Sequence, residues 1–159
     1  MLPATAQVRV ARVILVGVVH HFKIELSEFL RPRAPGVVPQ GLLDVEPVAE
    51  ELDATVIDMR WVKPLDEELL LPMAREHTRV VVLEEGAVHG GAATAVMQCL
   101  HEHRILRDVL ALGIGDVFTE HGDPALLLAE QGLDAPGIRA SIERHWPEGV
   151  RALGVRRVS

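Results

Sequence analysis

Two hydrophobic patterns alternate along the chain. Residues 8–19 (VRVARVILVGVV) are β-branched and mostly apolar, and shorter runs of the same kind follow at 54–58 (ATVID), 79–83 (RVVVL) and 109–114 (VLALGI). Such residues fit a pleated surface, and apolar runs without clean alternation predict strands covered on both faces. The segments between them carry helical signals. Asp66, Glu67 and Glu68 place negative charge at the start of a helix running to about His77, where it complements the helix dipole. Pro72 inside that segment predicts a kink or a late start, because an interior proline costs about 3 kcal/mol. A helix over residues 91–103 groups Val96, Met97 and Leu100 on one face. Asp123 before Pro124, and Asp134 before Pro136, pair an N-cap carboxylate with a first-turn proline. They predict helices over 125–131 and from about 135 to Trp146. Strands alternating with helices argue for an α/β sandwich on a mainly parallel sheet.

The ends fit this pattern less well. Residues 31–40 (RPRAPGVVPQ) hold three prolines and a glycine, which predicts a loop or connection. Thirty-four residues separate Val19 from Ala54, longer than an ordinary connection, so either the domain edge is remodelled or the chain is a piece of a longer one. The expected organisation is an N-terminal strand and Pro-rich connection over 1–40, a folded domain over 41–147 and a tail over 148–159. No repeat is visible.

Composition narrows the function. The 159 residues are 48% hydrophobic and 25% charged, as in one ordinary globular domain. A net charge of −7, with 3% aromatics and no tyrosine, opposes a phosphate-backbone partner, so no nucleic acid is expected. The longest strongly apolar run, residues 13–19, falls far short of the roughly 20 residues of a spanning helix, so no membrane partner is expected either. One cysteine, Cys99, excludes an internal disulfide and a multi-cysteine zinc cluster, and a cytoplasmic location follows as the expectation.

Candidate chemistry centres on Glu84, Glu85, His89, Gly90 and Gly91, between a predicted strand and a predicted helix. In a parallel sheet that turn lies at the carboxyl edge, and free N–H groups at a helix start attract anions. Two readings stay open: an anion or nucleotide site, or paired glycines that let a neighbouring domain pack closely, with the glutamates as polar anchors. His121 and Asp123, beside Glu120, form a second cluster that serves either acid–base chemistry or a helix cap. His101 and His103 are two apart on a helix and do not share a face, and His20 and His21 are adjacent on a strand end, so no metal site is expected. Cys99 reads as a buried, inert thiol. No serine sits in a nucleophile elbow. No self-contained catalytic set emerges.

Longer motifs carry a resemblance. Asp58-Met59-Arg60-Trp61-Val62-Lys63-Pro64-Leu65-Asp66, then Glu84 to Gly91 with Ala92-Ala93-Thr94-Ala95-Val96, resemble the C-terminal domains of transketolases. Residues 112–122 (LGIGDVFTEHG) and 132–138 (GLDAPGI) are similar to the end of the 1-deoxy-D-xylulose-5-phosphate synthases. The resemblance implies a three-layer αβα sandwich with a five-stranded, mostly parallel sheet. It also implies a domain that follows two thiamine-diphosphate-binding domains and helps build a homodimer. Those enzymes join pyruvate to glyceraldehyde 3-phosphate with release of carbon dioxide, on the way to isoprenoids. Their thiamine diphosphate and Mg²⁺ are held upstream by a G-D-G motif that is absent here, so no cofactor is expected on this chain alone. The implied contact surface bears Glu84, Glu85, His89, Gly90 and Gly91, with Arg60, Lys63, His121 and Asp123 as secondary candidates.

Overall fold

A computed structural model describes residues 13–18, 45–59, 61–118 and 121–147. In chain order the elements are β1 (Val13–Val18), α1 (Val45–Leu52), β2 (Thr55–Asp58), α2 (Glu67–Glu76), β3 (Arg79–Ala87), α3 (Ala92–Glu102), β4 (Asp108–Ile114), α4 (Pro124–Glu130) and α5 (Ala135–His145). Among the described residues the sheet has four strands in the order β2-β1-β3-β4, and every pairing is parallel. The fifth strand expected from the resemblance is not among them. The expected strand start at residue 8, the Pro-rich connection and the tail fall outside the described residues, as do Arg60 and Glu120.

Period-two alternation divides the core between the two faces of the sheet. Val80 and Val82 of β3 point to one face, where Leu70, Leu71 and Ala74 of α2 meet Val96, Cys99 and Leu100 of α3. Val81 and Leu83 point to the other, against Val45, Val48 and Leu52 of α1 and Ile138, Ile142 and Trp146 from α5 and its end. The three αβα layers therefore follow from one strand buried on both sides.

Several elements differ from the sequence pattern for identifiable reasons. The helix over α2 runs through Pro72 from Glu67 without a late start. Pro72 and Glu68, the residue whose carbonyl loses its helical partner, are both exposed, so the interruption falls on the solvent side of the helix. Met97 is exposed rather than buried with Val96 and Leu100, because α3 presents only one flank to the sheet. β3 extends beyond Leu83 through an irregularity: Leu83 pairs with Leu112 but Ala87 with Ile114, so β3 carries two extra residues there. α4 is capped as predicted, with Asp123 accepting from the Ala125 N–H at 2.9 Å, yet it buries no residue.

Side chains close the amino-terminal edge. Arg107 donates from Nε to the Ala74 carbonyl at 2.6 Å and from Nη2 to the Arg75 carbonyl at 3.1 Å, placing its cation on the last carbonyls of α2. His77 is buried between a carbonyl and a hydroxyl. Its Nδ1 donates to the Met73 carbonyl at 2.8 Å, and its Nε2 pairs with Thr55 Oγ1 at 2.9 Å. At the start of β4, Asp108 accepts from Trp146 Nε1 and lies 3.3 Å from His145 Nε2, while Arg79 stacks over the Trp146 ring.

The Trp146 hydrogen bond, with help from His145 and Arg79, holds the Asp108 carboxyl below the usual carboxylate range. A carboxyl depressed on folding contributes stability above its unfolded pKa, and that contribution is lost as pH falls through the folded value. Urea midpoints of the wild type and Asp108→Asn should therefore differ at about pH 6 and converge as pH falls from the unfolded value of about 3.9 through the depressed folded one. A difference that stays constant across that acid range would show that the carboxylate charge plays no part.

Candidate functional site

The strand order fixes where a ligand would enter. From β1 the chain crosses outward to β2, whereas β3 leads outward to β4, so the sheet changes direction between β1 and β3. In doubly wound sheets the carboxyl ends of such a pair frame the binding crevice. Glu84 sits there: it pairs with Val18 at the end of β1, and it is buried.

Its carboxylate turns onto the start of α3. The Ala92 N–H donates to Glu84 Oε2 at 2.8 Å and the Ala93 N–H to Oε1 at 3.3 Å. The next amide, on Thr94, donates to the Gly91 carbonyl at 3.1 Å. Gly91 is the N-cap residue but has no side chain to cap with, so Glu84 does this work from eight residues upstream. An α-helix opens with four unpaired donors, and here the inward ones are already satisfied by a carboxylate from within the fold. Two of the donors that an anion would use at this helix start are therefore engaged by Glu84.

The two glycines serve different needs. Gly90 has φ +79° with open space around it, so only its backbone conformation favours glycine. Gly91 has an ordinary φ, but a Cβ there would lie 2.6 Å from Glu84 Cδ and would overlap Glu84 Oε2 and the Ala87 carbonyl. Gly113 of β4 closes the arrangement, since a Cβ there would lie 2.9 Å from both Glu84 Cγ and the Gly86 carbonyl. Its role was not legible in the sequence, because the clash arises only where β3 bulges against β4.

The remaining predicted residues scatter. Glu85 is half-buried, and His89 is exposed in the turn. Lys63 is exposed on the loop after β2, and the Lys63–Pro64 peptide is cis. His121 is exposed, and Asp123 is the α4 cap, which supports the structural reading of that cluster. Around the same edge, Trp61, Val117 and Phe118 are exposed on the loops after β2 and β4. A shallow depression of about 350 Å³, lined by Ala49, Glu50, Asp53, Ala54 and Val56, lies beside α1 and the start of β2, away from the carboxyl edge.

One constellation escaped the sequence reading. Cys99 Sγ lies 3.9 Å from His103 Nδ1, and His103 Nε2 lies 3.5 Å from a carboxylate oxygen of Glu67. Burial pushes the Cys99 thiol up, and the charges of Glu67 and Glu102 act in the same direction. The signal was the spacing of four between Cys99 and His103, which places both on one helical face.

The geometry defines an αβα domain on a parallel sheet, with a buried glutamate capping the helix at the sheet's switch point. The chain belongs to the transketolase C-terminal domain family, whose model matches residues 45–138. It is 58% identical over 99 residues to the 1-deoxy-D-xylulose-5-phosphate synthase of Verminephrobacter eiseniae, a match spanning 62% of this chain and 16% of that enzyme. The corresponding enzyme of Paraburkholderia phymatum is 49% identical over 111 residues, spanning 70% of this chain and 18% of that one. Among solved structures, a split-gene transketolase in an inactive β4 tetramer matches 87% of this chain and 40% of its own, at 27% identity and a TM-score of 0.64. The chain thus spans less than a fifth of the curated relatives it matches.

Proposed function

We propose that this chain is the C-terminal domain of a 1-deoxy-D-xylulose-5-phosphate synthase and that it supports and dimerises the enzyme without catalysing alone. The observation that carries this reading is the carboxyl edge itself. Its helix amides are taken by Glu84, while Trp61, Val117 and Phe118 stand exposed around it. Apolar side chains gathered on one edge suit contact with another protein surface. Residues 41–147 are the domain in this reading, and Glu85, His89, Gly90 and Lys63 border the contact surface.

The parent enzyme joins pyruvate to glyceraldehyde 3-phosphate with loss of carbon dioxide, in the cytoplasm. Thiamine diphosphate supplies the carbanion chemistry when bound, and its diphosphate requires Mg²⁺ and free donors. The amides best placed here for a diphosphate already bond Glu84, which supports assigning both groups to the upstream thiamine-diphosphate-binding domains. The inactive assembly of the split-gene transketolase is consistent with a domain that needs its partner.

The purified chain, given pyruvate, glyceraldehyde 3-phosphate, thiamine diphosphate and Mg²⁺, should form no product. Mixed with a separately expressed thiamine-diphosphate-binding region of such a synthase, it should co-elute, and Phe118→Asp should abolish the co-elution. Turnover by the chain alone would overturn the proposal.

A further inference from the structure

Glu67, Cys99 and His103 come together where α2 begins and α3 ends, on elements that the carboxyl-edge site does not use. One donor atom from each lies within 4.8 Å of the other two. Cys99 is buried, whereas Glu67 and His103 are exposed.

The histidine hydrogen bonds are the telling feature. His103 Nδ1 lies 2.9 Å from the Cys99 carbonyl, which can only accept, so Nδ1 carries a proton. In the neutral ring Nε2 is then a bare lone pair, and it faces a carboxylate oxygen of Glu67 at 3.5 Å. A water molecule, a proton on the ring or a cation can bridge two such acceptors, and a cation there would have the Cys99 thiol beside it. A backbone carbonyl holding one ring nitrogen while the other is left free is also how metal-ligating histidines are oriented.

We propose that Glu67, Cys99 and His103 form a binding site for a divalent metal of the zinc class. The thiolate, imidazole and carboxylate match the donors that Zn²⁺ prefers. Bonds of about 2.0–2.3 Å hold tetrahedral donors roughly 3.3–3.8 Å apart, so Glu67 already stands at that separation from His103 Nε2, and Cys99 Sγ, 3.9 Å from the Nδ1 side of the ring, has to close on the same point. The Cys99 thiol proton leaves to solvent as the sulfur–metal bond forms, and no redox change is involved. Bound there, the metal ties the first turn of α2 to the last turn of α3.

Cobalt(II) titration of the full chain tests the site, because a thiolate–cobalt bond gives a charge-transfer band in the near ultraviolet. Cys99 is the single cysteine, so that band has no other source in the chain. The wild type should show the band, and Zn²⁺ should displace it and raise the melting temperature. Cys99→Ser should lose the band. His103→Ala and Glu67→Gln, both at exposed positions that leave the core intact, should weaken cobalt binding at least about tenfold, the loss that even an outer-shell partner can produce. No band in the wild type at excess cobalt would overturn the proposal and leave a shared proton as the link between His103 and Glu67. Unchanged binding in both exposed variants would overturn it equally.

Discussion

Gly91→Ala is expected to destabilise the domain by about 3 kcal/mol, from overpacking together with a strained or broken charged cap. The new methyl group would meet Glu84 Oε2 and the Ala87 carbonyl at once. Neither has room to yield. The carboxylate is buried and bonded to the Ala92 and Ala93 amides, and the carbonyl belongs to the backbone at the end of β3. Moving Glu84 aside would leave those amides unpaired, which costs roughly 1–3 kcal/mol for buried groups. Urea unfolding of the single and double variants separates the contributions. Glu84→Ala removes one clash and the cap together, so the pair should be clearly less than additive. A Gly91→Ala variant within about 0.5 kcal/mol of the wild type would mean that Glu84 leaves the helix start freely, and the internally capped crevice would be wrong.

Ile142→Ala is the second large effect, at about 3 kcal/mol and a melting temperature lower by on the order of 10 °C. Ile142 is only 1% exposed and packs in the cluster formed by α1, β3 and α5. Deleting its outer atoms removes buried apolar surface and leaves a cavity in a cluster built from α1, β3 and α5, whose elements cannot all close inward. Leu126→Ala is the matched control, since Leu126 is 66% exposed on a helix that buries nothing, and its change should stay within about 0.5 kcal/mol. Equal losses at the two positions would contradict the assignment of α5, rather than α4, to the core layer.

The two effects also show how far local pattern reaches. Asp123 and Asp134 announce their helices because capping is local: a short carboxylate bonds amides two or three residues away. The cap on α3 is not local in that sense. Glu84 reaches the amides of Ala92 and Ala93 only because β3 ends beside them, so the letters Glu84 and Gly91 suggested a site without saying that one fills the other. Pro72 does not delay the start of α2, because propensity prices an interior proline without knowing that the Glu68 carbonyl it leaves unpaired belongs to an exposed residue.

The sequence by itself determined the alternation of strands and helices, the parallel sheet, the capped starts of α4 and α5, and the family. Those properties depend on neighbours along the chain or on motifs several residues long. Only the tertiary structure decided that the helix amides at the sheet's switch point are already occupied, that Gly113 must be small, and that Cys99 and His103 meet Glu67. Each depends on groups brought together by packing. Such distances are set by how the layers close on one another, and no spacing along the chain encodes them.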